Sequence, residues 1–147
     1  PDLIALNLAH SDVQILDDLG RLFFLEYLSL AGTQIRDLQP LSNLPLLRTL
    51  LLSGSKVKEL GPLAQSKKLT TLDISFTQVR SLEAIRDLRQ LRILRLRGLD
   101  ITRVEPLLAL KGLRFLELGT VDRKTLQKIR SALPGTHIET TIVVENL

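Results

Sequence analysis

The sequence predicts an α/β solenoid, and two observations carry that prediction. A motif recurs at a fixed step of 22 residues, its copies opened by Leu3, Leu25, Leu47, Leu69, Leu91 and Leu113 with no insertion or deletion. Within each step the apolar residues change period, from two to three. A unit this short cannot bury a core alone, so copies stack and each covers the apolar face of the last.

Each copy opens as L-x-x-L-x-L-x-x-[ST]-x-[IV], as in the run from Leu25 to Ile35. Alternation at Leu28 and Leu30, at Leu50 and Leu52, and at Leu72 and Ile74 predicts a short strand that buries every second side chain. Stacking sets these strands side by side as a parallel sheet. The tail of each copy spaces its leucines by three: Leu38, Leu41 and Leu44, then Leu82, Ile85 and Leu88. That spacing suits a tight helical turn or an extended segment opposite the sheet, because a long helix does not fit. Ser11, Thr33, Ser55 and Thr77 form one column just past the strand. Their hydroxyls are expected to bond backbone groups at the turn and so link neighbouring coils. Pro40, Pro62 and Pro106 form a second column, where a fixed φ starts the outer segment.

These columns resemble the leucine-rich repeat family, specifically the 22-residue class of bacterial internalins and of a nuclear phosphatase regulatory subunit. The resemblance covers residues 3–120. It implies a right-handed horseshoe with a parallel concave sheet and short helical, 3-10 or extended convex segments. It implies no shared chemistry, since function in this family rests on the exposed residues. The chain departs in carrying Ser or Thr where family members usually carry Asn; Leu99 interrupts that column and Val121 ends it.

The two ends differ. Asp122 is placed to cap a helix running to about Leu133, with Leu126, Ile129 and Leu133 on one face, and Pro134-Gly135 stops it. Ile138 and Thr140 then begin a seventh, closing strand extended by Ile142-Val143-Val144, giving a helix–strand cap over about 120–147. No comparable cap precedes Leu3. Phe23 and Phe24 stand where later copies place Lys67-Lys68, Arg89-Gln90 and Lys111-Gly112. The expectation is one repeat domain over 1–147, the C-terminal module of a longer chain, with residues 1–24 packing on an upstream domain or further repeats.

Bulk properties narrow the function classes. Hydrophobic residues make up 44% of the chain, which excludes disorder, while aromatics at 3% leave an aliphatic core. Cysteine is absent, so disulfides and thiolate metal sites are excluded, and a cytoplasmic or bacterial setting is favoured. A bacterial surface or secreted location would need a signal upstream of Pro1. No apolar run approaches a membrane span. Charge is uneven: residues 1–46 hold two basic and six acidic side chains, and residues 47–147 hold eighteen and ten.

No catalytic residue, cofactor or metal is expected. His10 and His137 lie at opposite ends of the solenoid, and Asp17-Asp18 falls on an outer turn. Recognition is therefore sought on the strand residues that face away from the core. Tyr27, Leu51, Asp73, Ile93, Arg95, Phe115 and Glu117 occupy the two central outward columns, and Arg97 lies in the next. Phe76 takes the place held by Gly32, Gly54 and Gly98. Aromatic and arginine side chains dominate interfaces, so these residues are the candidate contacts for a protein partner. The expected role is a non-catalytic recognition module, the sensor or docking part of a larger bacterial protein. One alternative is a structural spacer packed on an adjacent domain. Another is nucleic-acid binding through Arg92–Phe115, disfavoured by the acids in the same columns.

Overall fold

The computed structural model describes residues 2–142. Seven strands form one parallel sheet in sequence order: β1 (Ala5–Asn7), β2 (Tyr27–Ser29), β3 (Thr49–Leu51), β4 (Thr71–Asp73), β5 (Ile93–Leu96), β6 (Phe115–Val121) and β7 (His137–Ile142). Each strand pairs with the residue 22 positions on: Leu6 with Leu28, Leu28 with Leu50, Leu50 with Leu72, Leu72 with Leu94, Leu94 with Leu116 and Leu116 with Ile138. The sequence step is thus the strand register.

The convex side is built from short turns. Four 3-10 segments (Asp17–Arg21, Gln39–Asn43, Gly61–Gln65 and Glu83–Ile85) are followed by a single α-turn, α1 (Glu105–Leu108). Pro40, Pro62 and Pro106 sit in the first turn of their segments, where a missing N–H leaves no intrahelical bond unmade. Between sheet and turns lies a single core. In the second coil Leu25, Leu28, Leu30, Ile35, Leu38, Leu41 and Leu44 are all buried.

The hydroxyl column acts differently from expectation. Ser11, Thr33 and Thr77 donate to the carbonyls of Leu8, Leu30 and Ile74, at 2.6, 2.7 and 2.7 Å, so each closes the turn of its own coil. None of the three links neighbouring coils. That role falls to backbone bonds, such as Lys56 N–H to Ile35 and Gln78 N–H to Val57. Leu99 interrupts the hydroxyl column by turning into the core.

The last coil abandons the turn. The position before the hydroxyl column is left-handed at His10, Gly32, Gly54, Phe76 and Gly98, with φ between 56° and 72°. Its next occupant is Thr120, a β-branched residue that disfavours this region. The chain stays extended there, and β6 runs on to pair Thr120 with Thr141 after a register shift. Between β6 and β7, α2 (Arg123–Ala132) is capped by the Asp122 carboxylate, which accepts from Thr125 N–H at 2.8 Å. Leu126, Ile129 and Leu133 close the core. Val143 and Val144 lie outside the described residues. No helix among the described residues is long and apolar enough to cross a membrane.

Candidate functional site

The sheet presents three parallel columns away from the core. Tyr27, Thr49, Thr71, Ile93, Phe115 and His137 align in one, and Ser29, Leu51, Asp73, Arg95, Glu117 and Glu139 in the next. Ser75 and Arg97 stand beside them, joined where the Arg97 N–H donates to Ser75 Oγ at 3.2 Å.

Five of the nine expected contacts form one connected group. Glu117 lies between two guanidiniums, 3.4 Å from Arg97 Nε and 3.7 Å from Arg95 Nε. Arg97 in turn stands 5.7 Å above the Phe76 ring, and Arg95 stands 5.5 Å above Phe115. Phe115 stacks on His137 with centroids 5.8 Å apart, and His137 Nε2 lies 3.4 Å from Glu139. His137 and Glu139 were not among the expected contacts. The signal was present, since they follow Phe115 and Glu117 by one 22-residue step.

Alternating rings, cations and carboxylates hold one another in place, which lowers the entropy lost when a ligand docks. Phe76 is fixed from both sides. Its left-handed backbone, φ 56°, throws the ring across Gly98, where a Cβ would collide with it. Phe76 stays 58% exposed.

The remaining expected residues take no part in the ion pairs and ring contacts that join this group. Ile93 precedes Phe115 in its column and is half-buried. Asp73 accepts from Ser75 N–H at 2.9 Å, repeating what Asn7 does for Ala9, so its carboxylate serves its own turn. Leu51 and Tyr27 lie on β3 and β2, short of the group.

Arg92, Arg95, Arg97 and Arg114 are not one cluster. Arg95 and Arg97 face outward and share Glu117. Arg92 instead curls back to donate to the carbonyls of Arg89 and Leu91, at 3.1 and 3.0 Å. Arg114 enters the next strand beside it, its N–H bonded to the Arg92 carbonyl. The cations beside the Phe115 ring are thus the two that Glu117 already pairs, and Arg92 is turned away from it. Among the described residues no three His, Cys, Asp or Glu side chains group as a metal site would require.

No protein-family model and no curated protein sequence matches the chain. Solved structures do. An internalin of Listeria monocytogenes superposes on 97% of the chain with a TM-score of 0.89 and 26% identity. A leucine-rich repeat protein of Leptospira interrogans superposes on 93%, with a TM-score of 0.83 and 33% identity.

The chain belongs to the leucine-rich repeat family.

Internalin C2 of the same Listeria strain matches the fold at 21% identity, with a TM-score of 0.85 over 96% of the chain. This leucine-rich repeat chain spans 43% of the first internalin, 64% of internalin C2 and 37% of the Leptospira protein. The 22-residue step, the parallel sheet and the 3-10 convex turns are those of the short-repeat class that the sequence resembles.

Proposed function

We propose that this leucine-rich repeat chain is a protein-recognition module whose partner lies on the concave sheet. The contact centre is the group running from Phe76 through Arg97, Glu117, Arg95 and Phe115 to His137. Prearranged aromatic and arginine side chains on one rigid face are the chief support. Tyr27, Leu51, Asp73 and Ile93 would flank that centre. The role is binding without chemistry, as the sensor or docking part of a larger bacterial protein. Its domain unit is the stack of six repeats closed by the helix–strand cap.

The first coil favours a second contact of another kind. Leu3, Ile4 and Ile15 are exposed, and Leu6, Leu8 and Val13 are only partly covered, whereas their counterparts in the second coil are buried or, for Ile4 and Ile15, replaced by polar residues. A preceding repeat or domain stacked on this coil would remove that surface from water. A spacer role rests on this contact alone and leaves the concave face idle.

The test is a pull-down from source lysate with wild type and with Arg95→Ala/Arg97→Ala/Phe115→Ala, folding being checked by circular dichroism. Capture of a protein by wild type and its loss with the folded variant supports concave recognition. Equal capture by both removes it and leaves the spacer.

A further inference from the structure

The turns that lead into the strands form one edge of the solenoid, separate from the concave face. Backbone bonds tie this edge together across coils: Arg48 N–H to Glu26, Thr70 N–H to Arg48, Arg92 N–H to Thr70 and Arg114 N–H to Arg92. The residues just before these positions therefore stack in rows at the strand spacing of about 4.8 Å. From residue 23 to residue 114 these rows carry seven cations and one carboxylate, Glu26, which already pairs with Arg48 at 3.4 Å.

Lys67, Lys68, Arg89 and Arg114 are exposed and make no ion pair among the described residues. By contrast, the outward columns of the sheet set Arg95 and Arg97 against Asp73, Glu117 and Glu139. The basic half of the sequence thus spends its excess charge on the edge, not on the concave face.

At the other end of the same edge the side chains change class. Phe23 and Phe24 occupy the turn before β2 and are 54% and 53% exposed. Pro45 and Leu46 follow one coil on, then Lys67 and Lys68. A preceding repeat would stack on residues 3–22 and leave this turn pointing outward, so it would not cover the pair.

We infer that this edge docks on an anionic lipid bilayer. A row of unpaired lysines and arginines attracts acidic headgroups, and two adjacent exposed phenylalanines on the same line enter the interfacial layer. The row from Phe23 to Lys111 spans four coil steps, roughly 19 Å, and its last member, Lys111, donates to the Ala132 carbonyl at 2.9 Å. A flat anionic surface meets them together. The solenoid would then stand edge-on, with the concave sheet open to its protein partner. This docking does not depend on that partner.

The experiment is co-sedimentation of the full chain with vesicles of pure phosphatidylcholine and of phosphatidylcholine with phosphatidylglycerol. Binding to the acidic vesicles alone, weakened steeply by salt, is expected. Lys67→Glu/Lys68→Glu/Arg89→Glu should weaken it by about a hundredfold or more. Phe23→Ser/Phe24→Ser should weaken it by about tenfold or more while leaving a salt-sensitive remainder. Arg36→Glu/Lys58→Glu/Arg80→Glu makes the same change of net charge in the turn that follows each strand and should leave binding in place. Circular dichroism establishes that each variant is folded. No binding to acidic vesicles at low salt overturns the inference, as does equal loss with the Arg36 variant. Conversion of a dimer to a monomer by the phenylalanine changes would mean that a second copy covers the pair. Tighter binding of an oligonucleotide, insensitive to those changes, would make the edge a nucleic-acid surface instead.

Discussion

The first and last coils are built on the same repeat and end in opposite states. Leu3 is 39% exposed, whereas Leu113, in the same column five steps on, is 3% exposed. Repetition alone accounts for neither value. The last coil is sealed because α2 lays Leu126, Ile129 and Leu133 over it and β7 completes its sheet edge. Among the described residues the first coil has a neighbour on one side only. In a solenoid, burial belongs to the interface between coils and not to the residue type, so equivalent leucines contribute unequally.

That inequality can be measured. The largest effect is expected in the middle, where Leu72 has a coil on both sides and no exposure. Leu72→Ala should cost about 2–5 kcal/mol, read from denaturant unfolding with an unchanged slope. Ile129→Ala tests the sealed end. It should cost about 2–4 kcal/mol, and hydrogen exchange should lose protection in β6 and β7 before β3 and β4. Uniform loss across all strands would mean that the coils unfold as a single unit and that the ends have no stability of their own.

A smaller effect separates two glycines of one column. Gly54 and Gly98 share a left-handed backbone, φ 72° and 68°. A Cβ on Gly54 would meet nothing nearer than Gly32 Cα at 3.8 Å, but one on Gly98 would strike the Phe76 ring. Gly54→Ala should therefore cost about 1–2 kcal/mol for the backbone alone. Gly98→Ala should exceed it by about 1 kcal/mol or more. Adding Phe76→Ala to Gly98→Ala should return the excess, a coupling that a double-mutant cycle detects.

These contrasts also mark how far the sequence could be read. Strand positions and register were legible because a 22-residue step leaves one alignment only. The proline-led convex turns were legible because proline fixes their first dihedral. The partners of the Ser and Thr hydroxyls were not, since donating within a turn and donating across coils need the same residue type. The long β6 depended on Thr120 refusing a left-handed turn, which is visible only once His10 and Phe76 are known to adopt it. At the candidate face the columns were legible, but the pairing of Glu117 with both arginines was not. Spacing places side chains on a surface without aiming them.

Acid should loosen the sealed end first. Hydrogen bonds from Thr125 hold the Asp122 carboxyl below its ordinary value, and the Lys128 ammonium, 2.6 Å from Glu105, does the same for that group. A carboxyl depressed on folding stabilises the fold fully above the ordinary carboxylate range, and that contribution fades as pH falls through the depressed value. Protection of α2 should thus begin to fall below about pH 4, ahead of the central strands. Asp122→Asn keeps an acceptor for the cap and should reduce this dependence, leaving the part carried by Glu105. An equal acid response in wild type and variant would place the titrating group elsewhere.

The smallest effect is expected in the first copy, although its motif from Leu3 to Val13 is intact. Leu3→Ala removes the leading leucine of the first copy, the counterpart of Leu25, which is fully buried. Since Leu3 stays partly in water, its loss should cost within about 1 kcal/mol in the isolated chain, against about 2–5 kcal/mol for Leu25→Ala. The same pair measured with a repeat or domain stacked on the first coil should converge, because that neighbour would bury Leu3 as the first coil buries Leu25. Convergence would establish the coil as an interface. A persistent gap would mean that its leucine surface remains solvated whatever lies beside it.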